Sequence, residues 1–116
     1  MTELVDLFGW AEHARDAGMQ QAAQHADEVE PGWSERAYTF LIGYARTHSD
    51  FISEDVSDAA IAAGEPQPPT LRAWGQIYRR AAKNDAILMT GMGRSRRRNA
   101  SVCPRWSSLI YKGRAA

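Results

Sequence analysis

Arg72, Gln76, Arg79, Arg80 and Lys83 recur at i, i+4, i+7, i+8 and i+11, which places five polar side chains on one face of a helix. Four of the five are cationic and none is acidic. Arginine reads guanine through O6 and N7, and glutamine reads adenine through N6 and N7, so this set suits the major groove of a duplex. Lys83, near the helix end, suits a phosphate. Arg94, Arg96, Arg97 and Arg98 follow Gly91 and Gly93, and arginines on such a loop suit a phosphate backbone or a narrow, electronegative minor groove. The plain alternatives are a solvated helix face and a loop kept soluble by its charge. Four cations without one acid weigh against the first, and the second is compatible with ordering on binding.

The other reactive side chains do not assemble into a catalytic pattern. His13, His25 and His48 are scattered, and Cys103 is the one cysteine, so no zinc spacing and no intrachain disulfide arise. Cys103 has no neighbouring base and reads as a strand-end or core thiol, with Arg105 the one residue that could lower its pKa. Asp50, Glu54, Asp55 and Asp58 could suggest a metal-dependent nuclease, but Glu54 and Asp55 are explained by their place in the first turn of a helix. Gly91-Met92-Gly93-Arg94-Ser95-Arg96 begins like a dinucleotide fingerprint yet lacks the third glycine and a βαβ setting. Asn99-Ala100-Ser101 is a glycosylation sequon without meaning in a cytoplasmic chain. These readings predict a protein that is not an enzyme and uses no metal or cofactor.

The net charge of zero hides a division. Residues 1–70 hold 13 of the 14 acidic residues and three arginines, Arg15, Arg36 and Arg46. Residues 71–116 hold 11 basic residues and one acid, Asp85. An anionic partner for the basic part is the leading inference, with counterion release from nucleic acid as the driving force. Folding of the basic part against the acidic part is the alternative. At 116 residues, with 44% hydrophobic and 24% charged, the chain suits one small soluble core. No apolar run reaches the roughly 18–20 residues that span a bilayer, and the acidic start does not resemble a signal peptide. The expected location is the cytoplasm.

The elements that must position the cations follow from periodicity. Residues 3–28 read as helical, interrupted at Gly18 and ended by Pro31-Gly32. This stretch reads as an extension outside the main core, suited to packing or to a homodimer, with Trp10 as an interface anchor. Ser34 is an N-cap for a helix over 35–47, with Ala37, Phe40, Leu41, Tyr44 and Ala45 buried. Phe51-Ile52 is a short extended piece. Ser53 caps the next helix, with Val56, Ala59, Ala60 and Ala63 inward and Gly64 at its end. Three prolines at 66–69 exclude helix, and Thr70 caps a helix over 71–84 that buries Leu71, Trp74, Ile77, Tyr78 and Ala81. Ala86–Thr90 reads as a strand, Gly91 onward as a flexible basic loop, and Trp106–Tyr111, after Pro104, as the partner strand. Trp33, Trp74 and Trp106 read as core residues rather than stacking platforms.

Helix, tiny strand, helix, helix, strand, basic loop, strand is the order of a winged helix-turn-helix, mainly α with a small β-hairpin. The expected division is an N-terminal helical extension (1–31), a winged helix-turn-helix domain (32–112) and a basic tail (113–116). At Gly32-Trp33-Ser34-Glu35-Arg36-Ala37, Ser53-Glu54-Asp55-Val56, Arg72-Ala73-Trp74-Gly75 and Arg79-Arg80-Ala81 the chain resembles a family of small phage and prophage proteins over about residues 18–111. The resemblance implies a winged-helix fold, a phage or prophage origin and the cytoplasm of a bacterial host. Members often carry a histidine-containing stretch before the last strand, where this chain has Asn99-Ala100-Ser101-Val102-Cys103-Pro104. The combined expectation is a phage-type double-stranded DNA-binding protein for replication, transcriptional control or DNA handling. The second expectation is a non-enzymatic phage protein that binds and modulates a host protein or defence complex.

Overall fold

The computed structural model describes residues 17–95 and 102–112. Along them run helix α1 (residues 17–29), α2 (Trp33–Thr47), β1 (Asp50–Ile52), α3 (Ser53–Ala62), α4 (Arg72–Lys83), β2 (Ile87–Arg94) and β3 (Val102–Ser108). The strands form one antiparallel sheet in the order β1-β3-β2, against which the helices close the core. The last-made strand is therefore the central one. Phe51 opposes Trp106 on one flank, and Met89 opposes Trp106 on the other.

Aromatic side chains link the layers. Trp33 and Trp74 meet edge to face at 5.5 Å, and the Trp33 indole N–H donates to the Pro66 carbonyl at 3.2 Å. That bond ties the proline-rich link of residues 63–71 back onto α2. Tyr78 stacks on Trp106 at 5.6 Å and donates its hydroxyl to the Ser53 carbonyl at 2.6 Å. Burial pushes the Tyr78 hydroxyl pKa up, because the ionised form would lose its solvation. Trp33, Trp74 and Trp106 are all buried, as expected.

Several local expectations are corrected. Gly18 is itself helical, in the first described turn of α1, and residues 3–16 before it lie outside the described residues. The C-terminal half of α1 does not stand apart: Ala22 and Ala26 join the core around Trp33 and Trp74. Ser34 is not the cap of α2. That place falls to Gly32, whose positive φ of 83° an L side chain tolerates poorly. Ser34 instead gives both its N–H (2.8 Å) and its hydroxyl (2.7 Å) to the Asp27 carboxylate of α1. Ser53 does not cap α3 either. Ile52 holds that position, its N–H bonded to the Asp55 carboxylate at 2.9 Å, while the Ser53 hydroxyl accepts the Trp106 indole N–H at 2.9 Å. Ala63 and Leu71, read as inward, are exposed at helix ends, whereas Gly64 does take the left-handed conformation after α3.

The hairpin is longer than its sequence suggests. Gly91-Met92-Gly93-Arg94 is strand rather than flexible loop, paired through Arg94–Val102. The glycines serve the sheet. A bulge falls between Met89 and Gly91, and a Cβ at Gly93 would collide with the Ile52 side chain. Pro104 lies inside β3, and this strand ends at Ser108 rather than Tyr111. Proline is tolerated there because its backbone faces the side beyond the end of β1, where its carbonyl meets the Ser53 hydroxyl at 3.5 Å. Residues 3–16, with Trp10 and His13, and the tail 113–116 lie outside the described residues.

Candidate nucleic-acid interface

Helix α4 divides sharply into two faces. Ala73, Trp74, Ile77, Tyr78 and Ala81 are buried, while Arg72, Arg79 and Lys83 are exposed along the opposite strip. The separation follows from 3.6 residues per turn: every apolar residue between 73 and 81 turns toward the sheet and α2. A left-handed residue, Asp85, then turns the chain into β2, so the strand is launched directly from the end of the basic helix.

The five predicted face residues are not equivalent. Arg80 is bent back onto α2: its guanidinium donates to both Glu35 carboxylate oxygens, at 2.9 and 3.4 Å, and lies 4.0 Å from the Tyr38 ring centroid. Asn84 reinforces this seam by donating to the Tyr38 hydroxyl at 2.9 Å. Gln76 is half-buried, and its Oε1 is sealed from solvent with no hydrogen-bond partner among the described residues. Gln76, Arg79, Arg80, Lys83 and Asn84 form one wall of a cleft of about 410 Å³, and Ala17 and Gln20 of α1 form the other. No carboxylate lines this cleft among the described residues.

The hairpin carries a second basic element. Arg94 is exposed at the end of β2 and, with Arg105, borders a second cleft of about 370 Å³ that also touches Asp50 and Asp55. The chain is then anchored, since the Ser95 hydroxyl donates to the buried carboxylate of Glu54. Arg96, Arg97 and Arg98 lie outside the described residues. Met89, Met92 and Val102 share a sheet face by register and are each at least half exposed, a feature that reading the sequence for charge did not find.

Other side chains fall where structural roles absorb them. His48 ends α2, stacked on Tyr44 at 3.8 Å, and His25 lies 3.7 Å from Glu28 on the exposed side of α1. Cys103 is partly buried on β3. Among the described residues no group of three or more His, Cys, Asp or Glu is placed to hold a metal ion, and no helix is long and apolar enough to cross a membrane. Sequence reasoning missed Glu35, Tyr38 and Gln20 as neighbours of the basic face. No local signal announces partners on other helices. Comparison with protein-family models, with curated proteins and with solved structures finds no match.

Proposed function

We propose that this chain is a winged helix-turn-helix protein of phage type that binds double-stranded DNA, with α4 as the recognition helix and the β2–β3 hairpin as the wing. The observation that carries this reading is the exposed strip of Arg72, Arg79 and Lys83, on a helix with no acidic residue and with its whole apolar face buried. The element order and the sheet order β1-β3-β2 support it. So does the reach of the hairpin. At about 3.3 Å per residue, Arg94 lies roughly 23 Å along β2 from Ile87, the first residue of the strand that follows α4. Half a turn of B-DNA is about 17 Å, so a helix in the major groove and a wing tip at the neighbouring minor groove are compatible. In this reading Arg72, Gln76 and Arg79 approach base edges, and Lys83, Arg94, Arg96, Arg97 and Arg98 hold phosphates. Arg80 braces the helix against α2 through Glu35. The site of action is a bacterial host's cytoplasm.

Fluorescence anisotropy on a labelled random-sequence duplex, at about 50 and 200 mM salt, tests the reading. Binding that weakens steeply with salt supports it, and absence of binding at the lower salt rejects it. A second reading, a module for a host protein, draws on the exposed Leu88, Met89, Met92 and Val102 of the hairpin. A stoichiometric complex that survives nuclease treatment and is lost on replacing Met92 by Ser favours that alternative.

A further inference from the structure

We infer that helix α1 is a movable cover over the DNA-contacting face of α4, so that binding requires the first turns of α1 to lift away. The inference rests on the DNA-binding reading above. Met19 of α1 is seated on Gly75 of α4 so closely that a Cβ there would collide with the Met19 sulfur. Ala17 and Gln20 wall the cleft whose other side carries Gln76, Arg79 and Lys83. A helix with its side chains is about 10–12 Å across, and the major groove is about 12 Å wide. Two helices packed side by side exceed that width, so α4 enters the groove fully only without the neighbouring turns of α1.

The covered arrangement leaves a polar cost in place. Gln76 Oε1 is sealed without a partner among the described residues, although its carboxamide lies on the strip that would face bases. Lifting α1 exposes that group to water or to a base donor. The contacts that hold α1 are graded along its length. Its C-terminal end is pinned by Asp27, which accepts two hydrogen bonds from Ser34. Its buried side chains are alanines alone, Ala22, Ala23 and Ala26. Beyond Ala22 toward the N-terminus, Met19 is the large side chain that holds it down, and only in part. The helix is therefore hinged at Asp27 and weakly held at Met19.

The same geometry supplies the test. The Met19 Cβ lies 3.8 Å from the position of a Cβ at Gly75, the mean separation across a disulfide. A full-length Met19→Cys/Gly75→Cys/Cys103→Ser protein is compared in oxidised and reduced forms on a random-sequence duplex. The cross-link is verified by mass spectrometry. The reduced form, which lacks the Met19 latch, is expected to bind at least as tightly as the unmodified protein, and the oxidised form at least about tenfold more weakly than the reduced one, within the usual range of coupling between sites. Tight and equal binding by both forms would overturn the cover and leave the DNA-binding reading standing. Failure of the pair to cross-link would overturn the docked position of α1. A second measurement needs no DNA. Amide hydrogen exchange in the unmodified protein should run at least about tenfold faster over residues 17–23 than in α2 and α4. Equal protection would overturn the hinge. Fast exchange with no duplex binding in any form would instead reject DNA as the partner.

Discussion

Arg79 and Arg80 are adjacent in sequence and are expected to fail in different ways when replaced. Each cation–phosphate contact contributes about 0.9 to the slope of log affinity against log salt. Between about 50 and 200 mM salt, one contact therefore changes affinity by roughly 3.5-fold and three contacts by roughly 40-fold. On a random-sequence duplex, which selects no base contact, Arg72, Arg79 and Lys83 each meet a phosphate, so replacing all three by Ala should lower the slope by about 2.7, and Arg79→Ala alone by about 0.9. Arg80 differs because its guanidinium is held by Glu35 at 2.9 Å and by the Tyr38 ring at 4.0 Å. Glu35 and Arg80 are both substantially exposed, so solvent screening limits their pair, and with the ring contact the loss is about 1 kcal/mol. For 116 residues at about 2.1 cal/mol/K each, that corresponds to a Tm lower by about 4 °C. Anisotropy across a salt series, with thermal unfolding followed by circular dichroism, separates the two effects. A folded triple variant with the original slope would refute α4 as the interface. An Arg80→Ala variant with unchanged Tm and a slope lowered like that of Arg79→Ala would refute the brace.

Three further outcomes follow from the packing. Gly93→Ala should cost about 1–3 kcal/mol in chemical denaturation, because its methyl group meets Ile52 in a buried position; unchanged stability would mean that the strand end has room to shift. Tyr78→Phe should cost about 1–3 kcal/mol at neutral pH by leaving the Ser53 carbonyl without its donor. Because the folded Tyr78 pKa is raised above the ordinary value of 10.0, its contribution is intact below that pH and is lost as pH climbs beyond it, by up to about 1.4 kcal/mol per unit. The phenylalanine variant should show a shallower alkaline decline, and equal declines would assign the effect to other groups. Gln76→Met should raise Tm in the absence of DNA by removing the sealed, unpartnered Oε1, and a lower Tm would point to a partner for that oxygen.

The helices were legible because their signal is periodic and local. Ala37, Leu41 and Ala45 mark α2, and Trp74, Ile77, Tyr78 and Ala81 mark α4 within a residue or two of their bounds. The hairpin was less legible because glycine and proline carry two meanings. Gly91 and Gly93 look like a flexible loop, yet one sits at a bulge and the other admits Ile52. Pro104 looks like a strand breaker, yet its backbone faces the open side past β1. The serines misled for a related reason. Ser34 and Ser53 have the right chemistry for caps, but Asp27 and Trp106 offer them partners from other elements. At the candidate interface, periodicity placed Arg72, Arg79 and Lys83 on the outer strip. It carried no information about Glu35, Tyr38 or α1, which decide what Arg80 and Gln76 touch.

The sheet order also dictates how the domain assembles. β3 is central, and nothing pairs with β1 until β3 arrives. Joining Ile52 to Arg105 closes a far longer loop than joining Arg94 to Val102, at an entropic cost greater by roughly 1.7 kcal/mol. The hairpin is therefore the early nucleus of the sheet, and the three residues of β1 dock last. By the same reasoning β1 is the first strand to fray. Its release would undo the Ile52–Asp55 bond that begins α3 and uncover Phe51, so local melting at this edge would spread into the helical layer rather than stop at the sheet.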